Sequence, residues 1–212
     1  IGPEPKHNII PGHALPEEAF TTLYEITGEK RYLDLTRFWL DARGDHSGYP
    51  LWGEWTTEES EKWIHDAVYE QPEFGKHGRA CLGYYAQDQI PLIEQTTIEG
   101  HAVRATLLMT GTADYIRVSG DTTYLGTVKR LWDNMVGCKL LLTGAVGSVA
   151  SDEKFGEDYF LPVDAYAETC AAVGVAFYSQ QMNLLTGEGK RYKLPDTAVE
   201  GANINIKQSR DY

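Results

Sequence analysis

One short joint occurs three times in this chain and constrains its fold more than any other feature. A hydroxyl residue, a glycine and an acidic residue precede a tyrosine in the stretches TGEKRY at 27–32, SGDTTY at 119–124 and TGEGKRY at 186–192. Glycine readily adopts the left-handed conformation that ends a helix, and Glu or Asp is favoured where the next helix opens. The joints therefore predict antiparallel helical hairpins, and repeated hairpins indicate a helical array or a closed toroid.

The apolar spacing between the joints predicts an all-α chain. The predicted helices are 16–27, a segment from Tyr32 that closes near Gly44, 57–69, about 98–118, and a helix start over 165–176. Two short segments are candidate strands, 139–143 and 203–207, and the first of these could equally end a helix.

Two polar residues share one register relative to the joint glycines. His101 lies 19 residues before Gly120, and Glu168 lies 19 residues before Gly187. His13 lies 15 residues before Gly28, which is about one helical turn closer. If equivalent helices line one barrel, these three side chains converge at one rim. In the alternative interpretation His101 caps its own helix and His13 lies on the surface.

The stretch from 141 to 172 collects further candidate site residues. It contains Glu153, Glu168 and Cys170 around several glycines that allow sharp turns. A helix N-terminus stabilises a carboxylate and favours a thiolate, so Glu168 and Cys170 could bind one ion. The alternative is a buried free cysteine beside a capping glutamate.

Charge and hydropathy exclude several partner classes. The net charge of −12 opposes binding to phosphate backbones, so we expect no nucleic-acid partner. No apolar run is long enough to cross a bilayer, so we expect no membrane association. The three cysteines are too widely spaced to form a disulfide framework, and the compartment stays undetermined.

Several motifs occur in one order and resemble glycoside hydrolase family 127, the β-L-arabinofuranosidase-like enzymes. They are PGH at 11–13, LYEITGEKRYLDLTRFWLDARG at 23–44, GHAVRA at 100–105, LWDNMV at 131–136, LLTGAVGS at 141–148, EKFGEDYFLP at 153–162 and YAETCAAVG at 166–174. The resemblance implies an (α/α)6 barrel followed by β-sandwich domains. It also implies a carbohydrate substrate, a plant or algal glycan, and a retaining glycosidase whose cysteine nucleophile is held on zinc by one Glu and three Cys.

The resemblance assigns a role to each candidate residue. Glu168 and Cys170 match the Glu and Cys zinc ligands of the ETC motif, and Glu153 matches the general acid/base. His13 and His101 match histidines that contact the sugar. A carboxylate that donates a proton needs a raised pKa in a partly dry pocket, so we expect that environment for Glu153.

The chain also departs from the family pattern. No cysteine follows Cys170, so the nucleophile and two of the four zinc ligands have no counterpart, and Gln89 stands where a histidine is expected. We therefore expect residues 1–212 to form one incomplete catalytic-type domain, without the closing helices and the β-sandwiches. We expect such a chain, alone, to be a poor catalyst that does not hold zinc tightly, with partner chains or missing chain covering its exposed helix faces.

Two other functions stay open at this point. One is a metal-free enzyme on the same toroid, such as an unsaturated-uronide hydrolase or a polysaccharide lyase. The other is a glycan-binding helical module without catalysis.

Overall fold

The computed structural model describes residues 1–2, 6, 10–45 and 83–189. Their α-helices are α1 (Pro16–Thr27), α2 (Arg31–Ala42), α3 (Ala102–Ser119), α4 (Leu125–Asn134) and α5 (Thr169–Thr186). Short 3-10 turns lie at Gly83–Ala86, Leu92–Glu94 and Ser151–Glu153, and a π-helical turn, Met135–Lys139, follows α4. The predicted helix at 57–69, the candidate strand at 203–207 and the tyrosine of the third joint lie outside the described residues.

The all-α prediction is confirmed for the described residues, which contain only isolated bridge pairs and no strand. Gly28, Gly120 and Gly187 each follow a helix in the left-handed conformation, with φ of 71°, 73° and 70°. The amide of each glycine donates to the carbonyl four residues earlier, which ends the helix as the joint predicted. No helix in these segments combines the length and the apolar character that a membrane span requires.

Two helix boundaries and one candidate strand need correction. Helix α3 begins at Ala102, four residues later than predicted, and α5 begins at Thr169, four residues after the predicted start. The segment 139–143 is not a strand, and it instead fits the alternative of a helix end, because the π-helical turn that follows α4 ends at Lys139 and a turn comes next.

Helix α3 is the centre of the fold, because it packs against α1, α2, α4 and α5. Small residues allow the close approach. A Cβ atom on Gly111 would lie 2.9 Å from the backbone nitrogen of Glu18 in α1, and one on Gly174 of α5 would lie 2.1 Å from Oγ1 of Thr106. The buried threonines of α3 satisfy their hydroxyls locally, since Thr106, Thr110 and Thr112 donate to carbonyls four residues earlier at 2.7–2.9 Å. Polar side chains are thus buried here without an unpaired hydroxyl.

A buried ion pair fixes the α1–α2 hairpin beside the site region. Nη2 of Arg43 lies 2.9 Å from Oε1 of Glu17, and both side chains are almost fully buried. The Arg43 guanidinium also donates to the carbonyls of Ala86 and Pro11. The pair therefore connects α1 and the end of α2 to the chain just before His13 and to the turn that precedes His101.

The outer faces of the helices that flank α3 expose apolar side chains. Leu23 and Ile26 of α1 and Phe177 and Leu184 of α5 are all more than a third exposed. The covering of these helix faces by further chain or by a partner stays a prediction.

Candidate active site

His101 and Glu168 occupy equivalent positions in two equivalent helices. Each is the N-cap residue of an 18-residue helix that ends at a left-handed glycine, α3 for His101 and α5 for Glu168. The two helices pack side by side, and their N-termini lie at the same end of the layer. The register predicted from the sequence is therefore present in the structure.

His101 caps α3 and contacts an acid at the same time. Its Nδ1 accepts from the amide of Arg104 at 3.4 Å, and its Nε2 lies 2.8 Å from Oε2 of Glu153. Because Nδ1 is an acceptor, the neutral ring carries its proton on Nε2 and donates it to the carboxylate. The residue is only 6% exposed. Burial, followed by the nearby Arg104, lowers the pKa of His101 although Glu153 opposes the shift. His101 thus caps its own helix, as in the alternative interpretation, and also contacts the candidate acid/base residue.

Glu153 accepts hydrogen bonds on both carboxylate oxygens. Oε1 accepts from the Tyr166 hydroxyl at 2.8 Å, and Oε2 accepts from His101. The Tyr166 bond first, and then the His101 bond, lower the pKa of Glu153, whose side chain is 41% exposed. This corrects the expected raised pKa in a partly dry pocket. Both bonds favour the charged form, and open solvent does not oppose it.

The backbone that carries these residues is strained. Asp152, Glu153 and Ala167 have φ of 59°, 50° and 50°, in the left-handed region that non-glycine residues rarely adopt. Short backbone pairings hold the loop in place: Val149 pairs with Lys154, and the amide of Ala167 donates to a carbonyl at 147. Strain at Glu153 and immediately before Glu168 is the pattern expected of a functional site, where surrounding contacts impose unfavourable dihedrals.

A group of three side chains could hold a cation. Each member offers one ligand atom, and these three atoms lie within 4.8 Å of one another. The members are His101, Glu153 and Glu168. Oε2 of Glu168 is buried and accepts no hydrogen bond from the described part of the chain. A carboxylate oxygen without a donor is an acceptor that a bound cation or ligand group would satisfy.

Cys170 does not fit the interpretation of a buried free cysteine, whereas the binding of one ion by Glu168 and Cys170 stays a prediction. It is exposed rather than buried, and Glu168 makes no side-chain cap bond to α5. A hydrogen bond to the Glu168 carboxylate, followed by burial, raises the pKa of the Cys170 thiol. The hydrogen bond and burial therefore outweigh the helix N-terminus, which was expected to favour a thiolate. Cys170 is also not a member of the three-residue group.

His13 lies close to this site without a bond to the acids. Its ring centroid is 6.3 Å from that of His101, its residue is exposed, and its Nδ1 donates to the carbonyl of Ala14 at 2.9 Å. His101 also lines a cavity of about 290 Å³ whose wall includes neither His13, Glu153 nor Glu168. His13, Glu153 and Glu168 thus lie near His101, but His101 alone among these four residues lines this cavity.

Sequence reasoning missed three contributors. Tyr166 bonds Glu153, the Tyr85 ring lies 5.1 Å from the His101 ring, and the Arg104 guanidinium lies 4.6 Å above the Tyr85 ring. Arg104 also donates to the carbonyl of Gly12, which links α3 to the chain beside His13. Tyr166 and Arg104 stand inside recognised motifs, YAETC and GHAVRA, so the motifs held a signal that was not used.

Known proteins resemble the chain over nearly its whole length. Residues 1–195 match the profile described as "Beta-L-arabinofuranosidase, GH127 catalytic domain". A non-reducing end β-L-arabinofuranosidase of Bifidobacterium longum subsp. longum is 37% identical over 98% of the chain, which covers 31% of that protein. The chain thus spans about a third of the curated relative's length.

Solved structures give the same result. A GH127 β-L-arabinofuranosidase from Geobacillus stearothermophilus T6 superimposes with a TM-score of 0.72 at 32% identity, covering 94% of this chain and 29% of the other. A second GH127 β-arabinofuranosidase superimposes with a TM-score of 0.66 at 34% identity, covering 88% of this chain and 24% of the other. These likenesses agree with an all-α fold that forms part of an α/α toroid.

Proposed function

Because the chain belongs to the GH127 catalytic-domain family of β-L-arabinofuranosidases, we propose that its protein is a retaining glycosidase that removes a terminal β-L-arabinofuranosyl unit from a plant or algal glycan. The observation that carries the proposal is the Glu153 carboxylate, held through both oxygens by His101 and Tyr166 at 2.8 Å. This chain then supplies the acid/base side of the active site. The whole protein's activity rests on this assignment.

Glu153 acts in both half-reactions. In the first it protonates the leaving oxygen while a nucleophile from outside the described residues bonds to the sugar carbon, and in the second it takes a proton from the water that displaces this nucleophile. In the free protein its lowered pKa keeps it a carboxylate, which is the form the second step needs. A bound sugar that displaces water from this 41% exposed side chain would raise the pKa toward the value that proton donation needs.

His101 and Tyr166 position the acid. Both are hydrogen-bond donors to the carboxylate, so they fix its orientation toward one glycosidic oxygen. His101 stays neutral because burial lowers its pKa, and it therefore does not compete with Glu153 as a second acid. His13, whose ring lies 6.3 Å from His101, is placed to contact a hydroxyl of the same sugar.

Zinc fits part of the donor set. Glu168 has a buried oxygen that no donor of the described residues satisfies, and the same carboxylate raises the pKa of the nearby Cys170 thiol, so these two residues would be two of the four ligands of a tetrahedral site. Two further ligands would come from outside the described residues. Bound zinc would keep coordinated thiols deprotonated, which opposes the effect that Glu168 alone has on Cys170.

The test is the dependence of Glu153→Gln on the leaving group. In the gene product that carries this chain, the substitution should lower kcat/KM for methyl β-L-arabinofuranoside about 10²- to 10⁴-fold, because a methoxide leaving group needs a proton. A dinitrophenyl glycoside should lose far less in the glycosylation step, since its phenolate leaves without one. The control is Asp164→Asn, an exposed acid of the same loop, which should change neither rate. Equal losses on the two substrates, or no loss, would contradict the assignment.

A further inference from the structure

A cavity of about 290 Å³ lies beside the acid/base group and has no part in the mechanism above. His101 belongs to both, because it lines the cavity and bonds Glu153 at 2.8 Å. The cavity therefore begins one side chain away from the acid/base carboxylate. Neither Glu168 nor Cys170 lines it, so it lies apart from the thiol side of the site.

The cavity wall is held together by backbone contacts. The amide of Phe155 donates to the carbonyl of Gly100 at 3.0 Å, and the amide of His101 donates to the carbonyl of Tyr85 at 3.3 Å. Gly100 has φ of 76°, and a Cβ atom there would lie 1.6 Å from the carbonyl oxygen of Tyr84. A side chain at 100 would push apart the two segments that form the wall, so this glycine is required for the cavity's shape.

The chemistry of the lining suits an uncharged polyhydroxylated ligand. The wall combines aromatic rings, from Tyr84, Tyr85 and Phe155, with two lysines and three acids. Aromatic faces pack on sugar rings. Lysines donate hydrogen bonds to sugar hydroxyls, and carboxylates accept hydrogen bonds from them. The mixed charge, with acids in excess, disfavours an anionic ligand.

Lys139 is the donor best fixed for this purpose. It is buried, with 6% of its residue surface exposed, and lines the cavity. Its Nζ donates to the carbonyl of Gly156 at 2.9 Å and lies 3.3 Å from Asp158. An ammonium has three N–H donors, so these two acceptors within the described chain leave one for a ligand hydroxyl.

We propose that this cavity binds the leaving-group sugar, an uncharged glycosyl residue joined to the terminal arabinofuranosyl unit. The proposal rests on the assignment of Glu153 as acid/base, because a general acid must lie within hydrogen-bond reach of the oxygen that links the two sugars. Specificity for the second sugar then lies in Tyr84 and Lys139, away from the residues that do the chemistry.

The experiment compares two substrates whose leaving groups are both alkoxides. One is a disaccharide with a neutral sugar as leaving group, and the other is methyl β-L-arabinofuranoside, whose methyl group is too small to fill the cavity. The variant is Tyr84→Ala, since this side chain is 47% exposed and its loss leaves the core unchanged. The control is Tyr159→Ala, a 73% exposed tyrosine that does not line the cavity.

Tyr84→Ala should lower kcat/KM for the disaccharide roughly 5- to 10-fold, the loss expected for one aromatic contact, and leave the methyl glycoside within about twofold. Tyr159→Ala should leave both unchanged. Equal losses on the two substrates, or none, would overturn the inference while leaving the role of Glu153 intact. If the unaltered gene product hydrolyses neither substrate, the proposed function itself fails and the inference fails with it.

Discussion

The N-termini of α3 and α5 are equivalent in position and opposite in chemistry. At α3, His101 closes the helix by accepting from the amide of Arg104, and it bonds Glu153 with its other nitrogen. At α5, Glu168 makes no side-chain cap bond, although a carboxylate is favoured by the helix dipole. One of its oxygens is buried and accepts from no donor among the described residues. The N-terminus of α3 is thus closed by the side chain of its own cap residue, whereas that of α5 is not, and a ligand at Glu168 stays a proposal.

The close packing of α3 and α5 brings the two N-cap residues near each other. Gly174 of α5 packs directly on Thr106 of α3, where an added Cβ atom would lie 2.1 Å from Oγ1 and 2.9 Å from Cβ. Thr106 cannot move away easily, because its hydroxyl donates to the carbonyl of Ala102 inside its own helix. The interface therefore controls the distance between His101 and Glu168.

Gly174→Ala is expected to separate the two helices and to give the largest change in stability. Overpacking of this kind costs about 1–3 kcal/mol of unfolding free energy, and hydrolysis should fall with it because the two N-caps move apart. Urea unfolding measures the first effect. The matched control is Gly126→Ala in α4, where an added Cβ atom meets nothing within 4 Å, and which should stabilise the protein by about 0.5–1 kcal/mol. A stabilising Gly174→Ala would show that the helices are not in the close contact described.

Tyr166→Phe tests the positioning of Glu153 beside the α3 N-terminus, and it should change activity moderately while stability hardly changes. The ring is 42% exposed, so the unfolding free energy should hardly change. Loss of one of the two hydrogen bonds to Glu153 should lower kcat/KM about 5- to 10-fold, equivalent to about 1 kcal/mol. Steady-state kinetics on the methyl glycoside provide the test, with Tyr159→Phe as the control. A loss as large as that of Glu153→Gln would mean that Tyr166 does more than orient the carboxylate.

The parts of this fold that sequence predicted were those with local signals. The bounds of α1 were found from its apolar spacing and from Gly28, and the three left-handed glycines were found from the repeated joint. The equivalence of His101 and Glu168 followed from counting back to those glycines. Each of these inferences needs only neighbouring residues and the period of a helix.

The parts that failed depend on where individual side chains point and which hydrogen bonds they form. The ionisation of Glu153 is set by Tyr166, 13 residues away, and by His101, 52 residues away. The raised pKa of Cys170 depends on where the neighbouring Glu168 side chain points. For Glu153 the prediction assumed burial, and for Cys170 it assumed stabilisation of the thiolate by the helix dipole. In each case a side-chain hydrogen bond shifted the pKa in the opposite direction.

The measurement that separates the roles of the two N-termini most directly is the zinc content of matched variants of the gene product. Glu168→Gln and His101→Gln change equivalent positions, and bound zinc is determined by mass spectrometry after dialysis against a weak chelator. Glu168→Gln should lose most of the zinc. His101→Gln should retain zinc at the level of the unaltered protein while kcat/KM falls about 10²-fold, because this residue positions Glu153. Loss of zinc from His101→Gln to the same extent as from Glu168→Gln would contradict this division, and would place the metal on the group formed by His101, Glu153 and Glu168.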